Sequence, residues 1–141
     1  MTQEDKKLLL IDISGRLHYG IICECLHSNA IKATAIDTED LSVYYFDCDE
    51  WESIEHCKPY LRPMSSMTEK EIVEINSMGF AYWTTMINND LRTRGPMSLL
   101  DAIITHHKMV KLIDWLNKKM FDYRGLIEKG LALEAPKGMY I

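Results

Sequence analysis

Three short runs of β-forming residues lie between segments with helical patterns, and this order restricts the chain to a fold with both helices and a sheet. The runs are YGIICECLH (19–27), AIKATAID (30–37) and LSVYYFD (41–47), and a fourth run, ESIEHCKPYL, covers residues 52–61. β-Branched and aromatic residues are frequent in them, and short polar turns separate them. We predict a small antiparallel sheet, with an SH3-like barrel as its closed alternative. Pro59 and Pro63 cannot donate to a strand ladder, so we expect them at an edge of the sheet or beyond it.

Two capping boxes mark helix starts on either side of the sheet. Thr2 and Asp5 have the required spacing, which predicts an N-terminal helix, although the run LLLIDI also suits a strand. Thr68 and Glu71 repeat the spacing at the start of a second helix. We expect Gly79, in a left-handed conformation, to end that helix.

From Ser98 to Met120, apolar residues recur at the spacing of an amphipathic helix. The stripe consists of Leu99, Ile103, His106, Met109, Val110, Ile113, Leu116 and Met120. A second apolar patch consists of Leu100, Ile104 and Trp115. Because an exposed apolar patch needs a cover, we predict that this helix either is covered on two sides or takes part in a homo-oligomer contact. With an N-terminal helix, a small antiparallel sheet and two or three C-terminal helices, the prediction is a single α+β domain spanning residues 1–141.

The charge balance restricts the partners of the chain. Its 141 residues include 21 acidic and 16 basic side chains, a net charge of −5, and this excess argues against general nucleic-acid binding. No apolar run approaches the roughly 18 to 20 residues that cross a bilayer, and the N-terminal residues lack the pattern of a signal peptide. We therefore expect a cytoplasmic protein without membrane contact. Its four cysteines are then expected to be free thiols.

Cys23, Cys25 and His27 alternate along the first run, so a strand would direct all three to one face. Thiolate and imidazole are zinc ligands, which makes these residues the candidates for a metal site. The spacing lacks a C-x-x-C pair, and cysteines of a half-buried strand also act as small apolar groups, the interpretation that we favour. His56 and Cys57 are neighbours on a predicted strand and would point to opposite faces, which argues against a catalytic pair. We therefore predict no catalytic residue, no cofactor and no metal.

Polar residues around the second helix form the main candidate for a ligand site. They are Lys58, Arg62, Ser65, Ser66 and Thr68, which lead into a helix N-terminus, and Arg92 and Arg94 of the run LRTRGP. Free N–H groups at a helix N-terminus favour an anion, and arginine forks match phosphate or carboxylate. The alternative is that the hydroxyls only cap the helix and the arginines are solvated. As a ligand site, the pattern predicts a small phosphorylated ligand.

The segment FDYRGLIEKGLALEAP (121–136) combines an acid and an arginine with two glycines. Asp122 is placed to cap a helical turn, and Gly130 to end it in a left-handed conformation. The alternation in LALEA predicts three core residues, namely Leu131, Leu133 and Ala135. We expect Arg124 to form a structural tie with an acid close to it in the sequence, namely Asp122, Glu128 or Glu134.

The stretches KPYLRPMSSMTEKE (58–71) and IDWLNKKMFDYRGLIEKGLALEAPKGMY (113–140) are distinctive, and the opening LLLIDISGRLHYGI (8–21) accompanies them. Together they resemble an uncharacterised family of short proteins that is frequent in gut Bacteroidales genomes and their prophages. The family brings no established activity, cofactor or functional residue. What the resemblance implies is an origin, namely a small accessory protein of a bacterium or a mobile element.

These patterns favour a non-enzymatic binding or interaction protein of a bacterial or phage mobile element, acting as a homo-oligomer. The first alternative is a binder that sequesters a nucleotide-type ligand such as an immune signal, and it depends on the arginines and the helix N-terminus. The second alternative is a small metal-dependent hydrolase, which would need the cysteines and histidines.

Overall fold

The structure is a computed structural model that describes residues 1–80 and 99–140, with residues 79, 80 and 99–107 described by their backbone only. Within these ranges the chain combines three α-helices with seven short strands and is an α+β protein, as the sequence predicts. The chain divides into two compact units, residues 1–64 with 116–141, and residues 65–115. That the whole chain is a single domain stays a prediction.

Helix α1 (Gln3–Arg16) starts at the predicted capping box. The Thr2 hydroxyl accepts a hydrogen bond from the Asp5 N–H (3.1 Å), and the Asp5 carboxylate accepts one from the Thr2 N–H (3.0 Å). Both bonds satisfy donors that a helix start leaves unpaired. The helix runs into a 3₁₀ turn (Leu17–Tyr19), which closes at Gly20 with a left-handed φ of 81°.

The seven strands form two separate small sheets. They are β1 (Ile22–Glu24), β2 (Ile31–Lys32), β3 (Ala35–Asp37), β4 (Ser42–Tyr45), β5 (Glu50–Ser53), β6 (Lys58–Leu61) and β7 (Leu133–Glu134). The strand orders are β2–β1–β6–β7 and β3–β4–β5. All strand pairs are antiparallel except β6–β7, which is parallel.

The prediction of one antiparallel sheet is wrong at the run AIKATAID, which supplies β2 to one sheet and β3 to the other. The change of sheet happens between two adjacent residues. The Ala33 N–H donates to the Ile21 carbonyl (3.0 Å), whereas the Thr34 N–H donates to the Tyr44 carbonyl (2.9 Å). Because the strands pair as two sheets, the SH3-like barrel is not closed.

Strand β6 lies between β1 and β7, so the prediction that Pro59 sits at a sheet edge is wrong. A hydroxyl next to this position explains how the proline fits. Tyr140 accepts a hydrogen bond from the Ile22 N–H (3.0 Å) and donates one to the Tyr60 carbonyl (2.8 Å). The Ile22 N–H and the Tyr60 carbonyl face each other between β1 and β6. In an antiparallel ladder the next pair, Cys23–Pro59, exchanges no hydrogen bonds, so Pro59 needs no N–H toward β1. Tyr140 therefore replaces a ladder hydrogen bond between β1 and β6.

Apolar residues from α1, the strands and the C-terminal segment form one core in the first unit. They are Leu9, Leu10, Ile13, Ile21, Cys23, Cys25, Ile31, Ala33, Val43, Tyr45, Ile54, Cys57, Leu61, Met120, Leu126, Leu131 and Ala132. The predicted core set in LALEA is confirmed at Leu131 and wrong at Leu133 and Ala135, which are half-buried, whereas Ala132 is buried instead. The physical reason is that β7 has only two residues and begins after the buried pair.

Helix α2 (Glu69–Ile75) starts at the second predicted capping box. The Glu71 carboxylate accepts a hydrogen bond from the Thr68 N–H (2.9 Å), and the Thr68 hydroxyl accepts one from the Glu71 N–H (3.3 Å). The end of the helix differs from the prediction. The backbone continues as a π-helix (Asn76–Phe80), so Gly79 lies inside a helical turn and does not end the helix.

Helix α3 (Leu99–Lys118) confirms the predicted long helix. The predicted stripe is wrong at Val110 and Ile113, whose side chains are 58% and 38% exposed. The buried side chains in the described part of the helix are Leu112, Trp115, Leu116 and Asn117, a face that is rotated from the stripe. Since Trp115 is buried, it is not part of an exposed patch, and the side chains of Leu100 and Ile104 lie outside the described residues. No helix in the described ranges is both long and apolar enough to cross a membrane.

Candidate functional site

The residues predicted to bind an anion lie in several elements. Lys58 and Arg62 lie at the start of β6 and just after its end, Ser65 and Ser66 in a 3₁₀ turn, Thr68 at the N-cap of α2, and Arg92 and Arg94 outside the described residues. Lys58 of β6 is the register partner of Glu24 on the neighbouring strand β1, and the two side chains carry opposite charges. The Thr68 hydroxyl is engaged in the capping box. That these residues share one anion site stays a prediction.

Arg62 holds two parts of the first unit together. Its guanidinium lies over the ring of Phe121, with Cζ 4.2 Å from the ring centroid, which is a cation–π contact. Its N–H donates to the Met120 carbonyl (2.8 Å), and its carbonyl accepts from the Asp122 N–H (2.8 Å). Both the side chain and the backbone of Arg62 therefore join the end of β6 to the segment that follows α3.

The candidate metal ligands Cys23, Cys25 and His27 do not continue one strand. Strand β1 ends at Glu24, and the chain then turns, with the Cys25 N–H donating to the Ser28 carbonyl (2.8 Å). Cys23 lies in the core, whereas His27 is an exposed residue. In the described parts of the chain, no group of three or more His, Cys, Asp and Glu side chains has the arrangement to hold a metal ion.

The thiols of Cys23 and Cys25 are kept in the protonated form. A hydrogen bond with Cys57, together with burial, raises the pKa of Cys23 well above its ordinary value. Burial also raises the pKa of Cys25, and the nearby Glu52 carboxylate adds to the effect. The thiolate is the form that attacks a substrate or binds a metal, so the raised pKa values favour a packing role. His56 is exposed while Cys57 is fully buried, so the two do not form a catalytic pair.

The closing segment 121–136 takes part in a group of charges, the ion cluster, which consists of the buried Asp12 and Arg16 and the half-buried Arg124. Arg16 binds Asp12 with two hydrogen bonds of 2.9 Å, one from Nε and one from Nη2. Nη2 also donates to the Phe121 carbonyl (2.8 Å). The side chains of Asp12 and Arg16 are fully buried. Such a pair is costly to break, because the remaining charge would be left without a partner in the interior.

Arg124 completes the ion cluster, and its predicted partners are wrong. Its Nε lies 3.4 Å from Asp12 Oδ1, a residue far away in the sequence and not one of the nearby acids. The ring of Tyr123 lies beside both guanidinium groups, with Cζ of Arg16 at 5.3 Å and Cζ of Arg124 at 4.9 Å from its centroid. Asp122 behaves as predicted, since its carboxylate accepts hydrogen bonds from two backbone N–H groups of the following turn, those of Leu126 and Ile127.

The second sheet exposes aromatic side chains. The β4 residues Val43 and Tyr45 are fully buried, so Tyr44 between them faces the opposite side of the sheet. Its cross-strand partner is Trp51 of β5, and the two ring centroids are 5.1 Å apart. Trp51 is 51% exposed, and Phe46, the residue after β4, is 71% exposed. We call residues 42–53 with these three outward rings the ring hairpin.

The turn of the ring hairpin is fixed by local hydrogen bonds. The Asp49 N–H donates to the Phe46 carbonyl (3.2 Å), and Asp49 has a left-handed φ of 53°, which aspartate tolerates better than most residues. The Tyr44 hydroxyl donates to the Asp49 carboxylate at 2.6 Å, and this hydrogen bond raises the pKa of Tyr44. The hairpin therefore presents its rings beside a turn that is held by hydrogen bonds between its own residues.

The ring hairpin belongs to a segment with a strong local charge. Residues 33–57 contain 8 acidic residues and no lysine or arginine. The rest of the chain contains 13 acidic and 16 basic residues, a net charge of +3, so this segment alone makes the chain acidic. Lys6 pairs with Glu55 (2.6 Å), and His27 lies 3.6 Å from Glu52. The asymmetry can be read from the sequence, but the net charge of the whole chain conceals it.

Comparison with protein-family models, with curated proteins and with solved structures gives no match for this chain. Its functional residues therefore have to be identified from their own chemistry. The ring hairpin is the strongest candidate, because it combines exposed rings with exposed carboxylates, namely Asp47 and Asp49. In the ion cluster, by contrast, Asp12 and Arg16 have no access to solvent.

Proposed function

We propose that this protein is a non-enzymatic interaction protein that binds a partner macromolecule through the ring hairpin. The observation that carries the proposal is the exposure of Phe46 and Trp51, at 71% and 51%, in a protein that buries a full apolar core elsewhere. Patches of exposed large apolar side chains mark interaction surfaces, and tryptophan and tyrosine are enriched among the residues that dominate binding energy. The resemblance to short proteins of Bacteroidales and their prophages implies an accessory role, which agrees with this proposal.

The chemistry of the other candidate groups supports binding over catalysis. The thiols of Cys23 and Cys25 have raised pKa values, so they are weak nucleophiles near neutral pH. The carboxylate of Asp12 is bound by Arg16 in a position that no substrate reaches. General acid–base or nucleophilic catalysis needs a reactive group that meets the substrate.

Site-specific photo-crosslinking in cells that express the chain tests the proposal. A photoreactive phenylalanine analogue at position 46 should form a covalent adduct with a partner protein. The same analogue at position 11 is the matched control, because Ile11 is also an exposed apolar residue (55%) but lies on α1. We expect an adduct from position 46 that Trp51→Ser reduces, and none from position 11. Equal adducts from both positions, or none from either, would contradict the proposal.

The nucleotide-type ligand remains the second candidate function, and it depends on Arg62, Arg92 and Arg94. Calorimetry against a panel of cyclic and linear nucleotides tests it, with the triple alanine variant of these arginines as the control. Heat that is lost in the variant would support the nucleotide binder, and no heat with any nucleotide would reject it. A metal-dependent hydrolase is tested by elemental analysis of the purified protein, in which stoichiometric zinc would support it.

The homo-oligomer is likewise part of the proposal. Size-exclusion chromatography with light scattering tests it directly, and a mass of one chain at all concentrations would remove it. This result would leave the ring hairpin unaffected as a surface for another protein.

A further inference from the structure

We propose that the ring hairpin binds an arginine- and lysine-rich segment of its partner protein. This inference rests on the proposed function and specifies the chemistry of the partner. It combines two properties of residues 33–57, namely exposed aromatic faces and an excess of carboxylates without any lysine or arginine. An arginine-rich segment fits both properties, because a guanidinium stacks on aromatic rings and forms forked hydrogen bonds with carboxylates.

The geometry of the hairpin brings the two kinds of group together. Tyr44 and Trp51 form a tilted ring pair, with centroids 5.1 Å apart and planes at 35°. The Asp49 carboxylate accepts a hydrogen bond from the Tyr44 hydroxyl at 2.6 Å, so a negative charge lies at the rim of the ring pair. Asp47, in the turn before Asp49, is exposed as well, whereas Glu50 is the register partner of the inward-facing Tyr45 and lies on the other face of the sheet. A cation that stacks on the rings therefore reaches carboxylates without leaving the surface.

The same charge disfavours the other occupants of an exposed aromatic surface. Nucleic acid and anionic lipid both present phosphate, which the carboxylates of the hairpin repel. A second copy of this chain would bring 8 more acidic residues and no lysine or arginine from the same segment. Like charges facing each other across an interface are unfavourable, so self-association through this surface is disfavoured as well.

Calorimetry with the purified full-length protein tests the inference. The probe is an acetylated peptide of alternating arginine and glycine, and we expect binding that weakens as salt is added, because the attraction is screened. The matched probes are a peptide of alternating glutamate and glycine, single-stranded DNA, and vesicles that contain phosphatidylserine. We expect no binding of these three. Equal binding of the acidic peptide, or no binding of the arginine peptide, would overturn the inference.

Variants of exposed residues identify the surface. Trp51→Ser should weaken binding of the arginine peptide about tenfold, the size of a cation–π contact at a partly exposed site. The double variant D47N/D49N should weaken it and reduce its salt dependence. The matched control E39Q/D40N removes the same charge in the β3–β4 turn, away from the rings, and should have a smaller effect. Wild-type affinity in both Trp51→Ser and D47N/D49N would reject the inference.

The outcomes separate this inference from the proposed function. If position 46 forms an adduct but the arginine peptide does not bind, the partner is not cationic and only the inference fails. If neither is observed, both fail. A dimer in light scattering that Trp51→Ser abolishes would make a second copy the occupant, which also overturns the inference. Urea midpoints equal to that of the wild type show that each variant is folded.

Discussion

The ion cluster and the ring hairpin use the same kinds of side chain, carboxylates beside aromatic rings, in opposite settings. In the ion cluster every carboxylate oxygen of Asp12 is matched by a guanidinium, and the Tyr123 ring fills the space beside them. In the ring hairpin the rings are exposed and the carboxylates have no lysine or arginine within residues 33–57. Charges that are paired inside the protein stabilise the fold, whereas uncompensated charges on an exposed surface are available to a partner. Variants of the two regions test this difference.

Removing the carboxylate of the ion cluster should cost the most. Asp12→Ala leaves the buried Arg16 without its partner, and we expect a loss of about 3–5 kcal/mol in the free energy of unfolding. Urea denaturation followed by circular dichroism measures it. Asp47→Ala, which removes an exposed carboxylate of the ring hairpin, is the matched control and should change stability by less than about 0.5 kcal/mol. Equal losses in the two variants would show that the buried carboxylate of Asp12 stabilises the fold no more than an exposed one.

Tyr140→Phe should have an intermediate effect. The variant keeps the ring but removes the hydroxyl that joins the Ile22 N–H to the Tyr60 carbonyl, which leaves two partly buried backbone groups unpaired. We expect a loss of about 1–3 kcal/mol in the free energy of unfolding. Tyr60→Phe is the control, because its hydroxyl donates to the Asn29 carbonyl at an exposed position and should cost less. A Tyr140→Phe protein as stable as Tyr60→Phe would show that β1 and β6 do not need the hydroxyl.

A smaller effect on stability is expected for Asp5 of α1, an exposed carboxylate whose hydrogen-bond partner is the nearby Thr2. Hydrogen bonds from the Thr2 hydroxyl and N–H lower the pKa of Asp5 from its ordinary value of 3.8. The stabilisation is therefore complete above pH 3.8 and is lost as the pH falls through the lowered folded value. Asp5→Asn should flatten this acid decline, as measured by urea midpoints at decreasing pH. Glu4→Gln controls for the loss of charge in the same turn, and a decline unchanged in Asp5→Asn would argue against the capping box as its source.

The smallest effect is expected for the rings themselves. Phe46→Ser removes a side chain that is 71% exposed, so it should change the free energy of unfolding by less than about 0.5 kcal/mol. Thermal unfolding measures it, and the arginine-peptide titration on the same sample measures binding. A protein of unchanged stability with weakened peptide binding would show that the Phe46 ring serves binding and not the stability of the fold. A large loss of stability would mean that the ring is part of the core.

Features that depend on neighbours in the sequence could be predicted. Both capping boxes join residues three positions apart, and both are present. The cap at Asp122 and the left-handed Gly130 also lie within one turn of the residues that they serve. Each of these is fixed by hydrogen bonds or dihedral angles of a few successive residues, so the local sequence contains all the necessary information.

Features that depend on distant residues could not be predicted. Arg124 was expected to pair with a nearby acid, but its partner is Asp12, at the other end of the chain. The residue pattern of AIKATAID is that of a strand throughout, yet the chain changes sheets in the middle of it. On α3 the spacing predicted the helix correctly and the buried face incorrectly, because several apolar positions compete for burial and packing decides among them.

The features of the ring hairpin likewise divide into those that depend on the local sequence and those that depend on distant residues. The α+β class, the helix starts and the acidic character of residues 33–57 follow from local hydrogen bonding, side-chain pattern and charge count, so the sequence alone predicts them. Only the tertiary structure decided that Tyr44 pairs with Trp51 on an exposed face while Tyr45, the next residue, is fully buried. Strand register and the position of the core determine which side of each strand meets solvent, and both result from contacts between residues far apart in the chain.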